Sequence, residues 1–242
     1  MLYDLAIAIY DILVHLAAPF SRKPRKMMKG HWVVYELLRQ QLEKDVRYIW
    51  FHAASLGEFE QGRPLIEKIR AKYPDYGILL TFFSPSGYEV RKDYPLADVV
   101  CYLPMDKPSL VRRFLDAVKI EKAFFVKYEF LGQLSLGVEA PGHPDIYHFQ
   151  PFSVPPRRSS NGYGATFRRM LGCYDMLFVQ DEESRALLAG IGVDNVVVAG
   201  DTRFDRVTDI LEDHTDLPVV ESFSRGAFTL FVGSSWQPDE DF

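Results

Sequence analysis

Cysteine is almost missing from this chain: Cys101 and Cys173 stand alone and far apart in 242 residues. Two such thiols make neither a metal-binding nor a redox motif and no disulfide framework, which points to a reducing compartment and two ordinary buried side chains. A large charge of one sign is lacking as well. The formal net charge of −5 argues against a general nucleic-acid binder, although the N-terminus is locally basic. No GxGxxG turn and no P-loop is present, which argues against a dinucleotide or nucleoside-triphosphate site. There is no internal repeat, no low-complexity tract, and no basic start with a small-residue cleavage site of the kind a secretory signal needs. What is there is 48% hydrophobic, enough to bury one large core or two modest ones.

The first thirty residues differ from the rest. "LYDLAIAIYDILVHLAAPF" is apolar but interrupted by Asp4, Asp11 and His15. An aspartate at a bilayer centre costs roughly 2.5–3.5 kcal/mol, so a clean span is disfavoured. The next stretch, "SRKPRKMMKG", offers Arg22, Lys23, Arg25, Lys26 and Lys29 to anionic headgroups, each worth about 1 kcal/mol near such a surface. Residues 1–30 therefore read as a membrane anchor, interfacial or barely spanning, with its basic side in the cytoplasm. The alternative is a terminal helix packed on the core.

From residue 46 onward short apolar runs alternate with amphipathic stretches. "VRYIWFH", "YGILLTFF", "ADVVCYL", "KAFFVKY", "YDMLFVQ" and "NVVVAGD" predict strands, and the segments after 58, 85, 106, 181 and 203 predict helices. That rhythm specifies an α/β fold: a Rossmann-like parallel sheet with helices on both faces. Such sheets bind ligands at the carboxyl ends of their strands, so the loops "AASLGE", "SPSGYE", "YEF" and "GDTRFD" are where chemistry is expected. Near the end, "HTDLPVVESFSRG" resembles a linker, and "AFTLFVGSSWQPDEDF" then starts another strand and turn.

Glu58 stands where the first strand hands over to a helix. Ser55 to Glu58 spells S-x-x-E, the capping box, in which the glutamate reaches back to its own helix start. The functional alternative is that Gly57 lets a substrate approach the backbone, while the helix N-terminus favours an ionised carboxylate able to take a proton from a hydroxyl. Partial desolvation by Phe51 and Phe59 would move such a base toward a useful pKa. Residue spacing leaves both open.

"FHAASLGEFEQGRPLI", "LLTFFSPSGYE", "FFVKYEF", "MLFVQDEESRALLAGIGVDNVVVAGDTRFD" and "FVGSSWQPDED" closely resemble, in ordered blocks across most of residues 45–242, the 3-deoxy-D-manno-octulosonic acid (Kdo) transferases. The resemblance implies the N-terminal domain of a GT-B glycosyltransferase, in which two Rossmann-like domains face each other across a cleft, with no metal and no cofactor beyond the donor substrate CMP-Kdo. The implied acceptor is the lipid A precursor, at the cytoplasmic face of the inner membrane, with no nucleic acid involved. By position, the resemblance makes Glu58 the general base and Glu129 in "KYEF" a support for the transition state. Arg203 in "GDTRFD" falls where the family usually has lysine, and its planar fork is not a drop-in replacement. Ser55, Gly57, Ser84, Ser86, Gly87 and Lys127 fall at implied substrate-binding positions, although "SPSGYE" also reads as a plain turn.

The implied layout is an anchor at 1–30, an acceptor domain at 31–214, and a linker with the start of a donor domain at 215–242. On that layout the C-terminal domain is truncated, and residues 1–242 alone are expected to show little transferase activity. A second departure lies at 131–162, a stretch rich in proline and glycine that shows no expected strand or helix pattern. Suitable codons for Gly137–Tyr147 and Gln150–Pro155, shifted by one and two bases, spell the family's Glu-Leu-Lys-Arg-Arg-Gly-Ile-Pro and Ile-Phe-Arg-Pro words. The expectation is a frameshifted segment; the alternative is a genuine long loop. Two other functions stay open: another GT-B enzyme using a nucleotide sugar, and an inactive membrane-surface fragment.

Overall fold

The computed structural model describes residues 2–126, 132–134, 145–149, 168–212, 218–224 and 228–237, with residues 2, 145–149, 203, 206, 209, 210 and 212 described by their backbone alone. The chain divides into two compact units, residues 1–206 and 207–242.

Seven strands form the sheet of the first unit: β1 (Tyr48–Ala53), β2 (Gly77–Phe82), β3 (Val99–Tyr102), β4 (Ile120–Val126), β5 (Asp145–Phe149), β6 (Met176–Val179) and β7 (Val196–Val198). They lie in the order β3-β2-β1-β4-β5-β6-β7 and every pairing is parallel. The helices are α1 (Leu2–Ala17), α2 (Arg22–Gln41), α3 (Leu56–Lys72), α4 (Pro85–Arg91), α5 (Pro108–Ala117), α6 (Glu182–Ala189) and α7 (Thr202–Glu212). The six strands read from the sequence are present, as is a helix in each predicted place.

Parallel strands covered on both faces read as unbroken apolar runs. All six residues of β1 are buried. Tyr48 and Trp50 join Leu79, Val99, Cys101 and Phe125 beneath Val34 and Leu38 of α2 and Phe114 of α5. Ile49, Phe51 and Ala53 point the other way, joining Ile78, Leu80 and Phe82 beneath Phe59 and Ile66 of α3. Each such side chain stabilises the fold by roughly 1.5–3 kcal/mol relative to an exposed one. The Trp50 indole donates to Thr81 Oγ1 at 2.8 Å, so its polar edge is satisfied inside the core. Cys101 and Cys173 are buried and not joined in a disulfide, and burial raises the Cys101 thiol above its ordinary range.

Two glycines allow close crossings. A Cβ on Gly62 of α3 would lie 2.8 Å from Val126 at the end of β4, and one on Gly30 of α2 would lie 2.1 Å from the Tyr102 ring at the end of β3. Helix starts follow local chemistry: Asp181 accepts from Ser184 N–H at 2.7 Å to cap α6, and proline opens α4 and α5.

Helix α1 departs from ordinary amphipathic packing. Along α1, Asp4, Ile7, Asp11 and Val14 lie on the face turned to the protein, whereas Leu5, Ile9, Ile12, Leu13 and Leu16 are exposed. The aspartates are partnered there: Asp4 accepts from the Gln133 side chain, and Asp11 pairs with Lys107 and His15. Between α1 and α2 the chain bends by 117°, and no single helix among the described residues is long and apolar enough to cross a membrane.

Two expectations are corrected, and the stretch read as a linker holds a short helix. Residues 145–149, inside the stretch expected to hold no strand, form β5 between β4 and β6. Ile146, Tyr147 and Phe149 have high strand propensity, and the two neighbours bond both edges of so short a run. In the second unit, part of the expected linker, Pro218–Ser224, is a short helix, α8, with no buried residue. Residues 228–232, expected as a strand, are not one. The apolar residues Phe228, Leu230 and Phe231 are exposed, so no buried face favours a strand there.

Candidate active site

A doubly wound sheet opens a crevice where its strand order reverses, at the carboxyl ends of the two strands that diverge there. In this chain those strands are β1 and β4, whose last residues, Ala53 and Val126, lie level. The loop leaving β1 carries Glu58, and Gly62 on the same helix seats α3 against Val126. Glu58 is thus placed by sheet topology at the switch point.

Its carboxylate is held, not loose. Oε2 accepts from Ala54 N–H at 2.6 Å and from Ser55 N–H at 3.1 Å, with Ser55 at the N-cap of α3. The capping-box reading is therefore realised. Glu58 is also half-buried and not sealed into the core. Two charge-assisted bonds and the positive end of the helix orient the group, so the cap and a basic role are compatible in one side chain. Gly57 is exposed, has no positive φ, and nothing lies within 4 Å of where its Cβ would be. Protein packing does not demand that glycine, and the space beside it is open to a ligand.

On one side of β1 stands the β2–α4 loop. Ser84 caps α4, accepting from Ser86 N–H at 3.3 Å, and the two hydroxyls lie 3.0 Å apart. Gly87 is structural, since a Cβ there would meet the Phe82 ring at 2.3 Å. The loop after β7 is tied to the same helix as Glu58: Thr202 Oγ1, buried, donates to Gln61 C=O on α3 at 2.8 Å. Gly200, at φ +80°, makes the turn into α7 that only glycine adopts freely. Arg203 lies in the first turn of α7, where its backbone alone is described. Lys127 and Glu129 lie outside the described residues, as does 131–162 apart from 132–134 and 145–149.

Sequence reasoning passed over Asp106, in the β3–α5 loop "MDKP". Its carboxylate is buried and takes three donors: the Tyr3 hydroxyl, and Gln133 and Leu134 N–H, each at 2.9 Å. Burial raises the Asp106 carboxyl above its ordinary range, and those hydrogen bonds act in the opposite direction. Gly132 N–H in turn donates to the Tyr3 hydroxyl at 2.9 Å. The only hint in the sequence was an aspartate between a strand and a helix-opening proline.

The family of 3-deoxy-D-manno-octulosonic-acid transferases matches residues 29–206. Among curated proteins, the chain is 26% identical over 160 residues to the 3-deoxy-D-manno-octulosonic acid transferase of Aquifex aeolicus, covering 64% of this chain and 40% of that protein. It is 25% identical over 219 residues to the transferase of the same name from Chlamydia muridarum, covering 81% and 48%. The chain thus spans less than half the length of these relatives. Among solved structures, a UDP-N-acetylglucosamine 2-epimerase superposes with a TM-score of 0.54 at 14% identity, over 74% of this chain and 55% of that one, a likeness of fold alone.

Proposed function

The chain belongs to the 3-deoxy-D-manno-octulosonic-acid transferase family, and on that premise we propose that it is the acceptor-binding, base-carrying half of an enzyme moving Kdo from CMP-Kdo to the lipid A precursor, lipid IVA. One observation carries the reading: an oriented, half-buried carboxylate, Glu58, at the switch point of the sheet beside an unfilled glycine surface. Glu58 takes the proton of the acceptor sugar hydroxyl as that oxygen bonds to the anomeric carbon of Kdo. The bond from that carbon to the CMP phosphate oxygen breaks, and CMP departs with its electron pair, inverting the centre. Arg203 and Glu129 stabilise charge in the transition state, and Ser55, Ser84, Ser86 and Lys127 contact the acceptor.

A membrane surface is the second element of the reading. Leu5, Ile9, Ile12, Leu13 and Leu16 present an apolar face on α1, and Phe20 follows it at 91% exposed. Arg22, Lys23 and Lys29 are exposed and have no acidic partner among the described residues. Such a helix, about 24 Å long, suits the plane of an interface better than a span of about 30 Å. The cytoplasmic face of the inner membrane is where both substrates would meet it.

The decisive variant is Glu58→Gln, because glutamine serves the capping box as glutamate does but takes no proton. In the polypeptide that carries both halves, transfer from CMP-Kdo to lipid IVA is expected to fall by about 10²–10⁴-fold with lipid binding and melting temperature kept. Parental rates in Glu58→Gln would assign the residue to its helix cap alone. Supplying a soluble sugar acceptor in place of lipid IVA separates this reading from another nucleotide-sugar enzyme.

A further inference from the structure

Helix α1 turns polar groups toward the protein, and it lies on the loops that flank Glu58. Beside Ile7 and Val14, its protein-facing side carries oxygen: Tyr3 and Asp4 bond to Asp106, Gly132 and Gln133, and Asp11 pairs with Lys107. Farther along, the Tyr10 ring stacks on Phe83, centroids 6.1 Å apart. Those partners belong to three places on one edge of the sheet: Phe83 follows β2, Asp106 and Lys107 follow β3, and Gly132 and Gln133 come after β4. In the strand order, β1 stands between β2 and β4. Helix α1 therefore holds to loops on both sides of the one that bears Glu58.

Water on the outer face would leave five large aliphatic side chains of α1 exposed while its half-buried carboxylates face the protein, the reverse of what aqueous folding favours. An apolar medium outside and polar anchor points inside account for both. The medium is committed to a lipid surface by charge: Arg22, Lys23 and Lys29 follow directly on this face and suit anionic headgroups.

We propose that Asp106 is a positioning residue, holding α1 across the catalytic edge so that the acyl layer of an anionic bilayer lies at a set distance from Glu58. This rests on the membrane reading given above and adds to it. A tether would need only the apolar face; an element that sets depth needs a rigid attachment. Asp106 supplies it, since one buried carboxylate accepts from the Tyr3 hydroxyl of α1 and from two backbone N–H groups of the 132–134 segment. Removing an acceptor from so buried a cluster leaves donors unpaired, and the attachment loosens.

The test uses the whole chain with vesicles of phosphatidylcholine and phosphatidylglycerol containing a phospholipid with a diazirine in its upper acyl chain, adducts being mapped by peptide mass spectrometry. The parent chain is expected to bind the vesicles and to take adducts on α1 and on the Phe83–Ser86 loop. Asp106→Asn, and the milder Tyr3→Phe, should keep vesicle binding within twofold and retain the α1 adducts, while loop adducts fall at least fivefold. Tyr3→Phe keeps the question answerable where Asp106→Asn does not fold, because it removes a single hydroxyl. Loop adducts unchanged in Tyr3→Phe, or absent from the vesicle-bound parent, would overturn the positioning role and leave the membrane reading standing. Failure of the parent to bind vesicles overturns both.

Discussion

Helices α1 and α5 are neighbours through the β3–α5 loop, yet they bury opposite kinds of side chain. Helix α5 turns Val111, Phe114 and Leu115 into the core and leaves Arg112, Arg113 and Asp116 to water, with the Arg113 guanidinium resting on the Tyr35 ring at 3.9 Å. Helix α1 turns carboxylates and a tyrosine hydroxyl inward beside Ile7 and Val14, and leaves five large aliphatic residues outside. The first arrangement draws its stability from apolar area removed from water. The second draws little from that source, and holds a defined orientation through hydrogen bonds that are each worth only about 0.5–1.5 kcal/mol net. The lesson is that amphipathicity has a direction, and the direction reports what lies on each side of the helix.

The contrast can be broken by substitution, beginning with the largest effect. Phe114→Ala in α5 should lower stability by about 3–5 kcal/mol in urea unfolding, since the ring is fully buried against Trp50 at 5.0 Å between centroids. A loss under about 1 kcal/mol would mean that α5 is no more deeply built in than α1.

Next comes pH, through His31 on α2, which packs edge-on to the Tyr102 ring at 6.0 Å between centroids. Burial lowers its pKa from the ordinary 6.5 to about 4, with Asp11 pulling upward and His15 downward. The unfolded chain thus binds a proton between pH 6.5 and 4 that the folded chain refuses. Stability from this group is complete above pH 6.5 and is lost as pH falls toward 4, by on the order of 2–3 kcal/mol. Urea melts at pH 7.5 and 4.5 should show that loss in the parent and a smaller one in His31→Gln.

Gly30→Ala sharpens the comparison from the side of α2. The added methyl would overlap the Tyr102 ring, and the cost is expected at about 1–3 kcal/mol in the same melts. The smallest effect on stability belongs to the outer face of α1. Ile12→Ala with Leu13→Ala should change the unfolding free energy by less than about 0.5 kcal/mol each, yet weaken vesicle binding severalfold. Equal losses in solution and on vesicles would show that this face packs on protein.

Much of this architecture could be read in advance, and the reasons are local. Residues 48–53 and 77–82 are apolar throughout because both their faces are covered, and a run of that length between turn residues identifies a strand before its partners are known. Strand β5 escaped notice because five residues flanked by proline and glycine carry too short a pattern, and its existence depends on β4 and β6 standing ready to bond it. At 228–232 the error ran the other way, for an apolar run was read as a strand although its apolar side chains are exposed and the residues form no strand.

The carboxylate of Glu58 shows the same division. Its spacing from Ser55 is enough to foresee the bonds it accepts, because a capping box closes within one helical turn. Its place at the reversal of strand order is a property of which strands pair, and β1 meets β4 across the whole of the intervening chain from 54 to 119. Composition and periodicity settled the class of fold, the strand and helix rhythm, and the presence of three polar residues in the apolar start of the chain. Whether Asp4 and Asp11 point toward the protein or away from it was decided by the fold, because the partners that satisfy them, Gln133 and Lys107, are brought near only when the sheet has closed. Local periodicity says that a helix has two unlike faces; long-range pairing alone says what each face meets.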